Sequence, residues 1–221
     1  MTPVLTNTLL LLLSVVLGGM LVVALEKKNQ QKLIKLSLAF SGGFLLAIAF
    51  LHFLPELYHE NMTKIGIWIL VGFLVQLFLE YFSGGIEHGH IHVHEKKKIP
   101  YGLLISLSIH SFIEGIPLVG LEHGHEHHGH LIGEHQNSLL LGIILHQFPV
   151  AIALMTLLRK SQLSNSISWV LLMVFGIMTP AGMLTGYVLQ LNEPFPYMDI
   201  LLAIVVGMFL HISTTIIFET N

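Results

Sequence analysis

The chain has 221 residues, of which 53% are hydrophobic and 10% charged, and its mean hydropathy is +0.77. A soluble domain carries about 25% charged residues, so a water-exposed fold and disorder are both excluded. Ten basic residues and a formal net charge of −3 exclude nucleic acid as a partner. The absence of cysteine removes disulfides, thiolate metal sites and cysteine nucleophiles, whereas the fifteen histidines outnumber Lys+Arg.

A spanning helix needs about 20 mostly apolar residues. Seven such stretches occupy the chain, at 4–25, 33–58, 65–83, 100–121, 138–158, 167–190 and 197–218. They predict an all-α, polytopic membrane helix bundle with one transmembrane domain over 1–221. The first stretch has no basic residue before it, and Glu26, Lys27 and Lys28 follow it, so it reads as a retained helix rather than a signal peptide. On the second, Ala39, Gly42 and Gly43 predict close helix contacts. That span ends in His52-Phe53-Leu54-Pro55-Glu56, a histidine and a carboxylate four apart, which suits either an entrance or exit for a cation or a plain helix terminus where water solvates Glu56. Glu80 near the end of the third span, with His211 and Glu219 on the seventh, is explained by snorkelling toward the interface.

The loop after the third span reads Glu87-His88-Gly89-His90-Ile91-His92-Val93-His94-Glu95. Alternating imidazoles on a flexible strand suit loose metal gathering over 87–95. The fourth span carries His110-Ser111-Phe112-Ile113-Glu114-Gly115-Ile116-Pro117. His110 and Glu114 share one helical face with Ser111 beside them. An imidazole and a carboxylate at mid-membrane are costly to bury and mark a pathway, and they suit a borderline divalent cation. Pro117 has no N–H for the Ile113 carbonyl, so a free acceptor is expected there. A second gathering loop at 122–135 contains His123, His125, His127, His128 and His130. The fifth span repeats the mid-membrane device with His146-Gln147-Phe148-Pro149, and a broken backbone is expected where the two prolines line a cavity. Gly182 and Gly186 predict close packing on the sixth span, and the nine scattered methionines do not form a copper path.

Lys27, Lys28, Lys32, Lys35, Lys96, Lys97, Lys98, Arg159 and Lys160 all fall on one side of this topology, with only Lys64 opposite. The positive-inside rule then puts the N-terminus outside and the loop 84–98 in the cytoplasm of a plasma or inner cell membrane.

These residues resemble the ZIP (zinc- and iron-regulated transporter-like) family of divalent metal transporters. The likeness rests on His110-Ser111-x-x-Glu114-Gly115, His146-Gln147-x-Pro149, His52-x-x-Pro55-Glu56, Thr179-Pro180-x-Gly182 and the His-rich third loop, and spans the whole chain. It implies an eight-helix fold, of which seven helices are expected here, and movement of Zn2+ or a similar cation into the cytoplasm. It also implies that His110, Ser111, Glu114, His146 and Gln147 are the metal ligands. Val150 stands where the family usually has a Glu or His after the proline. The metal is cargo, so no cofactor is expected; the bilayer is a partner, and a homodimer is compatible. An intramembrane zinc-dependent hydrolase is the alternative, but H-E-x-x-H is absent and two histidine loops serve no purpose in an enzyme.

Overall fold

The structure, a computed structural model, describes residues 3–25, 30–59, 64–83, 99–119, 132–191 and 196–219. In chain order these form α1 (Pro3–Ala24), α2 (Gln30–Ile48), a π turn (Ala49–Phe53), α3 (Leu54–His59), α4 (Ile65–Ser83) and α5 (Tyr101–Gly115). A single 3-10 turn (Ile116–Leu118) follows, then α6 (Ile132–Lys160), α7 (Asn165–Leu189) and α8 (Met198–Glu219). Among the described residues no strand occurs. Seven spans are long and apolar enough to cross a membrane, with α2, the π turn and α3 together making the second. The expected spans match within a few residues. Most of the 122–135 loop and the whole of 87–95 lie outside the described residues, but Ile132–His135 already belong to α6.

Local chemistry explains the boundaries. Ser164 caps α7 by accepting from the Ile167 N–H at 3.3 Å. Arg159 and Lys160 occupy the last turn of α6, where cations suit the negative end of the helix dipole. Gln162 adopts a left-handed φ of 57° that turns the chain between the two helices. In the π turn the Leu54 N–H reaches back five residues to the Ala49 carbonyl.

Two expectations about proline are corrected. The Ile113 carbonyl is not free, because the Ile116 N–H tightens into the 3-10 turn and bonds to it. Nor is the backbone broken on the fifth span: α6 runs continuously through Pro149, as α7 does through Pro180. Neighbouring helices and local adjustment of the backbone let a membrane helix tolerate the missing donor.

The bundle is assembled from closely packed helix pairs, α4 on α8, α5 on α7 and α1 on α6. Glycine permits all three, the last through Gly18 of α1 against the Phe148 carbonyl of α6. A side chain at Gly72 would collide with the Ile204 carbonyl and one at Gly207 with the Ile69 carbonyl. Likewise, Gly115 lies against the Thr179 carbonyl, Gly182 against that of Phe112 and Gly186 against that of Ile116. Gly42 packs on Ile216 as expected, but Gly43 faces open space and makes no helix contact.

Large apolar side chains cover the outside, among them Leu51, Phe78 and Tyr81, as lipid contact requires. Inside lie two apolar clusters. One includes Val15, Leu38, Leu107, Val150, Leu154 and Phe175. The other includes Leu11, Leu45, Phe53, Leu118, Ile143 and Phe209. Along α5 and the 3-10 turn the chain passes from the first cluster at Leu107 to the second at Leu118, and along α6 it passes back from the second at Ile143 to the first at Val150. The stretches between are where the polar residues sit.

Candidate metal centre

His110, Ser111 and Glu114 project from α5, and His146 and Gln147 from α6, all 0–2% exposed. Burial without water is tolerable for such groups only when something else satisfies them. His110 Nε2 stands 3.0 Å from Glu114 Oε1, and the approach is not aligned as a hydrogen bond. No hydrogen-bond donor reaches either oxygen of Glu114 among the described residues. The imidazole of His146 meets that of His110 edge to face, with ring centroids 5.9 Å apart.

One donor atom each from His110, Glu114 and His146 lies within 4.8 Å of the others. Donors held at about 2.0–2.2 Å from a Zn2+ ion stand roughly 3–4 Å from each other. The His110–Glu114 separation of 3.0 Å already has that value, and a His146 donor atom lies within 4.8 Å of both. A carboxylate sealed in an apolar bundle without a donor is strongly unfavourable. A divalent cation among these three groups would remove that penalty.

Two neighbours hold the donors in place: Gln76, which passed unremarked in the sequence, and Thr179, noted there only within the Thr179-Pro180-x-Gly182 motif. Gln76 on α4, fully buried, accepts from His110 Nδ1 at 2.8 Å, which fixes the proton there and leaves the Nε2 lone pair toward Glu114. Thr179 on α7 accepts from the Gln147 amide, and Gln147 Oε1 is left buried without a hydrogen bond. The Gly115–Thr179 backbone contact sets α7 at this height, so the glycine packing and the donor geometry are one arrangement. Gln76 was visible only as one amide in an apolar span. Its partner is 34 residues away, and Thr179 lies 32 from Gln147, so no periodicity links them.

Ser111 is buried, and its hydroxyl has no hydrogen-bond partner among the described residues, which leaves an oxygen available on the same helix. His52 on the π turn and Glu56 on α3 are half-buried and do not join the three-donor group. Snorkelling does not describe Glu80 and His211: His211 Nε2 contacts Glu80 Oε2 directly, and the Phe73 ring packs edge-on against the imidazole at 4.7 Å. An interhelical pair of opposite chemistry replaces two separate excursions to the interface. Glu219 has no described side chain, and the loop residues His88, His90, His92, His94, His123, His125, His127, His128 and His130 lie outside the described residues.

Comparison with curated proteins gives no match. Comparison with protein families matches the ZIP zinc transporter family over residues 2–100 and 86–219, which together take in nearly all of the chain. A bundle of seven membrane-length helices around a buried His/Glu cluster accords with that match. The chain is an integral membrane protein and belongs to the ZIP zinc transporter family.

Proposed function

We propose that the chain carries Zn2+ or a similar divalent cation into the cytoplasm, and that His110, Glu114 and His146 bind the ion in transit. Ser111 Oγ and Gln147 Oε1 complete its coordination. The observation that carries this reading is the Glu114 carboxylate, buried at 0% exposure with no hydrogen-bond donor beside a histidine whose proton is held on the far nitrogen. Membership of a transporter family fits transport rather than hydrolysis.

The ion arrives hydrated and must exchange water for protein donors. Glu114 supplies the negative charge that offsets the lost hydration, and the imidazoles supply lone pairs of matching softness. His52 and Glu56 lie toward the end of the second span opposite Lys32 and Lys35. With the basic end in the cytoplasm, they stand on the entry side of the plasma or inner membrane.

Uptake of Zn2+ into proteoliposomes tests this. Glu114→Ala and His110→Ala should abolish uptake while the protein still inserts. Wild-type rates in both variants would make the pair structural, and turnover of a lipid or peptide by the wild type would favour the hydrolase.

A further inference from the structure

Glu80 and His211 are not needed to bind the metal, and α4 and α8 are not in need of a clasp. The two helices already touch backbone to backbone at Gly72 and Gly207. From these contacts the polar groups follow at one-turn intervals. Gly72, Gln76 and Glu80 are spaced four apart on α4, as are Gly207 and His211 on α8. The face that holds His110 through Gln76 therefore continues, one turn on, to a carboxylate paired with a buried imidazole.

The side chain of Glu80 is 19% exposed and that of His211 7%. Glu80 lies three residues before the end of α4, at the basic end of the bundle. The pair is thus within reach of the aqueous phase on one side and one turn from the residue orienting a metal ligand on the other.

Resting on the central metal site proposed above, we propose that Glu80 and His211 form a proton-binding site, whose proton and the metal at His110–Glu114–His146 oppose each other. The ligand is a proton rather than a second metal. Zinc sites use three or four protein donors, and among the described residues the only three-donor group is the central one. Here two groups contact each other directly while Phe73 covers the ring.

The incoming proton is taken by the imidazole while its contact with Glu80 Oε2 is kept. The pair then passes from net negative to net neutral. Histidine is the side chain that ordinarily changes charge between about pH 5 and 8. A positive charge gained there repels a dication nearby in a low-dielectric bundle. By linkage the effect is reciprocal, so metal arrival expels the proton and proton arrival loosens the metal.

The other titratable groups on the packed elements leave the assignment intact. Lys32 and Lys35 on α2, Tyr81 on α4, Tyr101 on α5 and Asp199 on α8 are exposed. His52, Glu56 and Tyr58 lie toward the opposite end, and His110 with Glu114 belongs to the metal site. The side chain of Glu219 is outside the described residues.

The experiment is calorimetric titration of the full chain in detergent micelles with Zn2+ alone. It uses buffers of different ionisation enthalpy across about pH 6–8, the histidine range. Wild type should release about one more proton per Zn2+ than His211→Gln, and the slope of log Kd against pH should fall by about one in the variant. Affinities should converge at the alkaline end, which a merely structural role for His211 would not produce. Glu80→Gln should behave in the same direction and decides the matter if His211→Gln does not fold. Equal proton release in wild type and both variants overturns the proposal. So does a second Zn2+ in the wild type that His211→Gln loses, since the pair would then be a metal station. Absence of Zn2+ binding to the wild type would instead remove the central site, and this inference with it.

Discussion

At the scale of single residues, the geometry of the proposed metal centre depends on groups outside the donor set. Gln76 holds His110 in one tautomer, and loss of such a partner ordinarily weakens metal binding by roughly 10–100-fold. Gln76→Leu should show that loss, whereas Gln76→Glu, which keeps an acceptor, should retain or tighten binding; equal Kd values for leucine and glutamine would deny Gln76 a positioning role. Val150 is four residues beyond His146 and 2% exposed, in a place where the family usually supplies a donor. With Glu114 as the sole carboxylate of the three-donor group, one dication is the expected load, since a bridged pair at about 3.5–4 Å needs more negative charge. Val150→Glu should therefore raise Zn2+ affinity or admit a second ion, at a cost in stability of the empty protein. Anomalous scattering from two full ions in the unmodified centre would refute the single-ion expectation. His110, Glu114 and His146 were legible in the sequence because ionisable groups are rare in apolar spans. The roles of Gln76 and Thr179 were not, because a lone amide or hydroxyl acquires its meaning only from a partner more than thirty residues away.

At the scale of elements, the helices were legible from apolar length alone, but their pairing was not. Gly182 and Gly42 were readable as contact points, yet Gly43 on the same span meets nothing, and Gly72 and Gly207 passed unremarked although both allow backbone contact. A glycine in an apolar run has the same sequence signature in each case; only the neighbouring helix decides its role. The π turn was equally hidden, since its extra residue leaves composition unchanged. Gly182→Val forces a side chain into the Phe112 carbonyl. Overpacking of this kind costs about 1–3 kcal/mol, and here it also pushes α7 and Thr179 away from α5. The variant should melt at a lower temperature in detergent and bind Zn2+ more weakly. An unchanged melting temperature would mean that α5 and α7 separate without cost.

At the scale of the whole molecule, the distribution of Lys and Arg gives an orientation that helix packing leaves open, because a bundle packs equally well either way up. A cysteine placed at position 90 is the only thiol in the chain. It should resist a membrane-impermeant reagent in intact cells and react after permeabilisation. Labelling from outside would invert the topology and, with it, the direction of transport proposed above. The burial of the donors has a further consequence for kinetics. Since His110, Ser111, Glu114, His146 and Gln147 are all 0–2% exposed, an ion bound among them as proposed would be shielded from bulk water and from a chelator in this conformation. An ion held there is a captive whose escape waits on the protein. Stripping by excess EDTA should then saturate, reaching a rate that no longer rises with chelator concentration, and that plateau counts how often the bundle opens rather than how tightly it grips.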